Sequence, residues 1–302
     1  MDILSDYLKT FRLNAHVFIH TSYCGSWAVD TSGEQKATFH MIARGTAWLH
    51  LPDNEEPIAL RSGDVVVFPH DAVHTLSNNE NPPPPEQPRN QSARPEDAGP
   101  RTHLICGHFE FERHQWNPLL NALPEVMVIN SEETANTALM DDIIRNIIYE
   151  TEAEGAGSDV VIDKLSEVLF IHVVRSYMQQ QSTSQGFIAA LTDRQISMAI
   201  AALHAKPGTQ WSVEVLANEA SMSRSAFAKR FSTLVNMTPM QYVTCWRMQL
   251  AHEQFSTTAA SVAQVSEELG YQSEATFAKA FKRHFGLGPG AVRKKQTTSE
   301  AG

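Results

Sequence analysis

Three cysteines, Cys24, Cys106 and Cys245, are all that occur in 302 residues. They are too few and too scattered to form the disulfide framework that staples small secreted domains. A reducing compartment, the cytoplasm, is the simpler expectation. The chain also lacks any apolar run near the roughly 20 residues that cross a bilayer. Its first residues lack the basic-then-apolar order of a secretory leader. Neither export nor membrane insertion is expected. A positive charge balance is missing as well, since the net charge is −10, which would ordinarily argue against nucleic acid as a partner. The total conceals a split. From residue 187 onward 12 Lys+Arg stand against 8 Asp+Glu, a net +4, whereas residues 1–186 carry 12 against 26, a net −14. Basic character is confined to the end of the chain, as a phosphate-binding module requires.

A chain of this length ordinarily divides into two domains. Residues 15–80 alternate apolar and polar side chains in short runs such as Asp64-Val65-Val66-Val67-Phe68, punctuated by Gly45, Pro52, Gly63 and Pro69, which is β texture. Residues 81–101 are dominated by proline, including Pro82 to Pro85, and predict a mobile loop inserted between strands. Strand texture resumes at residues 102–109 and 126–129. From residue 131 the period becomes helical, with Leu139, Ile143, Ile144, Ile147 and Ile148 at three- and four-residue spacing. A break at residues 155–158 precedes a second helix to about residue 181, whose apolar stripe is broader than one small sheet needs. The expected organisation is a barrel over 1–130, a helical dimerisation segment over 131–181, and an all-α module over 187–295.

That last module repeats itself at a spacing of about 50 residues. Ser212-Val213, Leu216, Ser223, Phe227-Ala228-Lys229, Phe231 and Pro239 are echoed by Ser261-Val262, Val265, Ser273, Phe277-Ala278-Lys279, Phe281 and Pro289. Each copy reads as a short helix, a tight turn and a longer helix with phenylalanines on one face and basic residues on the other, the layout of a helix-turn-helix. Ser221 and Gly270 fall in the turns, where a small residue tolerates tight geometry. Outward positions at the start of the longer helices are Arg224, Ser225, Ala228 and Lys229 in the first copy. In the second they are Glu274, Ala275, Ala278 and Lys279.

With these motifs, residues 187–295 resemble the DNA-binding domain of the AraC/XylS family of bacterial transcription regulators. The resemblance implies base readers at Ser225, Ala228 and Lys229, and at Glu274, Ala275, Thr276 and Lys279. Lysine suits guanine acceptors and glutamate a cytosine amino group. Several of these side chains are small, so DNA shape is expected to share in recognition.

Gly63, Pro69, His70, Asp71, His74 and Asn78 resemble the second motif of the cupin barrels, with Asp71 where a glycine is usual. The first cupin motif lacks its ligands, because Ser32, Glu34 and Thr38 fall near the positions of two histidines and a glutamate. Ordinary cupin metal chemistry is therefore unsupported, and no catalytic residue is assigned. Ligand-type residues are nevertheless dense: His40, His70, His74, His103, Cys106 and His108. Cys106 and His108 share one strand face, and with His70 and His74 they make a candidate site for zinc or another transition metal. The resemblance implies a non-enzymatic regulator, more often activator than repressor. Its expected partners are double-stranded promoter DNA, a small-molecule effector inside the barrel, RNA polymerase and a second copy of the chain. The alternative is a cupin-fold, metal-dependent enzyme fused to a DNA-binding module.

Overall fold

A computed structural model describes residues 3–84, 99–111, 116–131, 137–153, 155–180 and 186–292. The chain forms two compact units. One is assembled from Leu13–Phe111 and Leu123–Gln181, the other from Met1–Arg12, Glu112–Ala122 and Ser182–Gly302. This differs from the division expected along the sequence, which assigned residues 1–130 to the barrel as one block.

Helix α1 (Ile3–Thr10) opens the chain. The strands follow as β1 (Asn14–Cys24), β2 (Ala28–Val29), β3 (Ala37–Arg44), β4 (Thr46–His50), β5 (Ile58–Arg61), β6 (Val65–Phe68), β7 (Thr75–Ser77) and β8 (Arg101–Glu110). After the short helix α2 (Pro118–Asn121) comes β9 (Met127–Ile129). The strands build two antiparallel sheets, one ordered β1-β8-β3-β6-β9 and one β2-β7-β4-β5. Buried Trp27, Val29, Ile42, Leu49, Val66, Phe68, Leu76 and Leu104 pack together as the core of this unit, and Cys106 lies among them. The two-sheet architecture agrees with the expected cupin-like fold. Most of the proline-rich stretch, residues 85–98, lies outside the described residues.

Helices α3 (Thr137–Ala153) and α4 (Ser158–Gln180) form an antiparallel pair on this unit. The expected helix start at residue 131 falls partly outside the described residues, since 132–136 are not among them. Helix α4 packs on β1, where the Asp163 carboxylate accepts from the Val17 N–H, and its Phe170 meets Phe109 of β8. The pair also leaves Leu139, Tyr149, Val160, Val161 and Val168 exposed.

The second unit continues through α5 (Phe187–Thr192), α6 (Arg194–Ala205), α7 (Val213–Glu219), α8 (Arg224–Val235), α9 (Pro239–Thr257), α10 (Val262–Glu268) and α11 (Glu274–Phe285). The duplicated sequence becomes two helix pairs, α7–α8 and α10–α11. Each of these four helices is N-capped by a serine, Ser212, Ser223, Ser261 or Ser273, whose hydroxyl accepts from an otherwise orphaned N–H. Helix α9, opened by a capping box at Thr238 and Gln241 with Pro239 in its first turn, runs between the pairs. It gives Met248, Ala251 and Phe255 to the core of the second pair and Tyr242 to the ring of Phe231 in the first.

Helix α1 completes this unit. Tyr7 is wholly enclosed, with its ring against Phe11, Trp116, Phe187, His204 and Trp246. The Tyr7 and Tyr242 hydroxyls lie 2.7 Å apart, and His204 Nε2 lies 3.0 Å from the latter. Burial drives the His204 pKa down to about 3, so this imidazole is neutral, and Asp6, 3.6 Å from its Nδ1, does not offset the desolvation.

Candidate functional site

The two longer helices of the repeats carry the expected DNA-reading residues on one exposed face. In α8, Phe227 and Phe231 are buried while Arg224, Ser225 and Lys229 are exposed and Ala228 is half-buried. In α11, Phe277 and Phe281 are buried while Glu274, Ala275, Thr276 and Lys279 are exposed. The four-residue spacing of the phenylalanines fixes this outcome, because residues four apart share a helix face. The Thr276 hydroxyl lies 2.8 Å from the Ser273 hydroxyl, which ties it to the helix cap. Arg230, one residue beyond Lys229, is held by Asp193 and Gln195 at the start of α6. It therefore anchors α8 rather than facing outward unengaged. Both helices present their N-terminal turns, whose exposed N–H groups and dipole favour phosphate oxygens.

The turns differ between copies. Gly270 has φ +74°, and a Cβ there would lie 2.2 Å from the Gly208 carbonyl oxygen. Gly208 in turn would clash with the Glu268 carbonyl, so backbone meets backbone and only glycine fits at either position. Ser221 adopts φ +52° without glycine. Arg247 on α9 fastens the close approach: its Nε and Nη2 donate to the Pro207 and Thr209 carbonyls at 2.8 and 2.7 Å, and its guanidinium lies over Tyr271. Gln210 donates to the Gly270 carbonyl. The loop ahead of the first repeat is thus locked to the turn of the second.

In the other unit the four proposed metal ligands do not converge. His70 is exposed, with its Nε2 3.0 Å from the Leu123 carbonyl. Cys106 is wholly buried in the apolar core, and burial pushes its thiol pKa up, away from the thiolate a metal needs. His108 meets Lys36 and Glu110, and His74 pairs with His40. Among the described residues no group of three or more His, Cys, Asp or Glu is arranged to hold a metal ion. Strand alternation does put Cys106 and His108 on one face, but two residues carry the strand from the packed core to a cavity.

That cavity, of about 370 Å³, is lined by Phe18 and Ile19 of β1, Asp30, Thr31 and Glu34 of the connection to β3, Thr38 of β3 and His108 of β8. Phe18 is the extra residue of a β-bulge, since Val17 pairs with Gly107 and Ile19 with Cys106. A bulge re-aims its side chain, and here it leaves Phe18 partly open, with its ring 5.7 Å from that of His108. The connection bearing Glu34 is fixed by Asp71. This residue stands at φ +59° in the left-handed region, and its carboxylate accepts from the N–H groups of Gly33 and Gln35. An aspartate in place of the usual glycine therefore gains loop-holding bonds in exchange for strain.

Behind Thr31 lies a buried imidazole pair, His40 Nε2 to His74 Nε2 at 2.8 Å, with the Thr31 hydroxyl 3.2 and 3.3 Å from the two. His74 Nδ1 is 2.7 Å from the Ala72 carbonyl and must donate to it, which leaves His74 Nε2 as acceptor from His40. Burial and the neighbouring ring hold His40 well below the usual imidazole range, and burial lowers His74. Both rings are neutral. Asn78, the last residue of the cupin-like motif, accepts from the Trp27 N–H.

Comparison with known proteins agrees with this geometry. The model of a family described as Cupin matches residues 2–179, and that of a helix-turn-helix domain matches 216–295. The transcriptional regulator AlkR of Acinetobacter baylyi is 31% identical over 98% of this chain and 100% of its own length. A protein of Streptomyces antibioticus described as an AraC-like transcription regulator is 31% identical over 97% of this chain and 99% of its own. The chain belongs to the AraC-like transcriptional regulators. It is a DNA-binding regulator of transcription with an N-terminal cupin domain. A crystal structure of the DNA-binding domain of AdpA with target DNA is 29% identical, covering 35% of this AraC-like chain and 96% of that one, with a TM-score of 0.34. The cupin match includes α1, although this helix packs with the C-terminal unit of the regulator.

Proposed function

We propose that this regulator is an activator, that a small molecule held in the barrel cavity controls how its paired recognition helices engage promoter DNA, and that it acts as a homodimer recruiting RNA polymerase. One observation carries the control. Phe18 and Ile19 on β1 and His108 on β8 line the cavity, and β1 and β8 are paired along their lengths. Just before β1 the chain supplies Tyr7 and Phe11 to the core of the DNA-binding unit, and soon after β8 it supplies Trp116. A ligand that shifts this strand pair strains segments belonging to the DNA-binding unit. Coupling of this kind is typically about 1 to 3 kcal/mol. Dimerisation is assigned to α3 and α4, whose exposed Leu139, Tyr149, Val160, Val161 and Val168 exceed what a solvated face needs.

The DNA contacts are assigned to Arg224, Ser225, Ala228 and Lys229 in the first major groove and to Glu274, Ala275, Thr276 and Lys279 in the next. Selection of binding sites from randomised duplexes by the full chain tests this. The expected motif has two parts one helical turn apart, with Lys229→Ala relaxing preference in one part and Lys279→Ala in the other. A motif of one part, or uniform weakening by both variants, defeats the assignment.

A further inference from the structure

Resting on the reading of the cavity as the effector site, we infer that the ligand it takes is an organic cation, an apolar or aromatic body bearing a protonated amine. The charge on the wall is carried by the carboxylates of Asp30 and Glu34, and among the described residues neither lysine nor arginine lines it. Lys36, which reaches the wall residue His108, is already engaged: its Nζ lies 3.1 Å from Glu110 Oε1 and 3.0 Å from His108 Nε2. His108 adds no positive charge, because burial and the adjacent lysine lower its pKa despite Glu110 beside it. An anionic ligand would face two like charges with no unengaged counter-ion beside it among the described residues. A neutral donor would gain a hydrogen bond from a carboxylate but not the charge attraction open to an ammonium.

The observation that points to a ligand is Thr38. Only 2% exposed, it lines the cavity, and its hydroxyl has no partner among the described residues. A buried hydroxyl is ordinarily paired, and an ammonium N–H entering beside Asp30 would supply the missing donor. The apolar share of the wall then has its own role. Phe18, lifted from the ladder by the bulge and 42% exposed, with Ile19 beside it, offers a ring face to the ligand body and to the cation itself. Glu34 is exposed at the rim, where it attracts a cation at low desolvation cost. The backbone on either side of it is held by Asp71, so the stretch that carries the carboxylate is in place before the ligand arrives.

Three probes of one shape test the inference by titration calorimetry on the full chain: 2-naphthylmethylamine, protonated at neutral pH, 2-naphthylmethanol and 2-naphthoate. The amine is expected to bind at least tenfold more tightly than the other two. Glu34→Gln should reduce amine affinity several-fold and leave the alcohol unchanged, and Thr38→Val should weaken the amine most. Circular dichroism of each variant checks that it is folded. If the naphthoate or the alcohol binds as well as the amine, and Phe18→Ala abolishes that binding, the cavity remains an effector site but the cationic class is overturned. If no probe binds at millimolar concentration, or if binding ignores Phe18→Ala and Thr38→Val alike, the cavity is not the effector site and both readings fall.

Discussion

The two helix-turn-helix repeats share a plan and differ in how each obtains its turns and its core. The second relies on glycine at both left-handed positions, Gly270 in the turn and Gly286 closing α11, where the first uses Ser221 and Asn236. Its core, from Met248 and Phe255 to Phe277 and Phe281, lies within the C-terminal segment. The first repeat stands on an aromatic cluster that includes Tyr7 and Trp116 from far earlier in the chain. Duplication thus preserved the fold while the sources of stability diverged. The second repeat depends on backbone fit, whereas the first depends on a remote segment.

The largest effects should come from these foundations. Tyr7→Ala should cost about 3 to 5 kcal/mol in the C-terminal unit, and Gly270→Ala more than about 2 kcal/mol because the new Cβ meets backbone. Hydrogen exchange resolved by segment should place the first loss in α8 and the second in α10 and α11. Equal losses in both repeats would break the comparison.

Acid should separate the repeats next. The folded pKa of His204 is about 3, far below the unfolded value of about 6.5. Its neutral burial therefore contributes fully above about pH 6.5, and that contribution is lost as pH falls toward 3, because the unfolded chain takes up the proton first. Protection factors in the first repeat, taken relative to the pH-dependent intrinsic exchange rate, should fall below about pH 6.5, and His204→Gln should flatten that dependence. A second repeat that loosens equally early contradicts the expectation.

DNA binding should show a smaller asymmetry. Arg224→Ala should lower the salt-dependence slope of binding by about 1, as for a lost phosphate contact. Glu274→Ala should leave that slope in place and relax preference at one base pair, by about 1 to 3 kcal/mol. Fluorescence anisotropy across a salt series distinguishes the two, and identical slopes for both variants would erase the difference. Smallest of all, Ser221→Gly should stabilise the first repeat by about 1 kcal/mol by relieving its left-handed backbone, measured by urea denaturation. No gain would mean that the serine is not strained.

Much of this was legible in the sequence because periodicity and duplication are local signals. The phenylalanine spacing alone set which face of α8 and α11 is exposed, and proline and glycine punctuation located the strands. Convergence in space is not local, which is why His70, His74, Cys106 and His108 looked like a ligand set yet point to four different neighbours. The cavity wall was equally hidden, since Phe18 reaches it through a bulge that alternation cannot foresee. The role of α1 had a readable trace. Ile3, Tyr7 and Phe11 recur every four residues, an apolar helical stripe, although nothing in that stripe names the partner it packs against.

The winding of the chain between its two units makes the regulator hard to take apart by recombination. A crossover in the linker near residue 186 would join a foreign sensor to a reader stripped of Tyr7, Phe11 and Trp116. Functional chimaeras of such proteins would have to exchange the first dozen residues and the stretch after β8 together with the C-terminal segment. The reader of this chain is thus a unit of three segments, and a working exchange has to move all three at once.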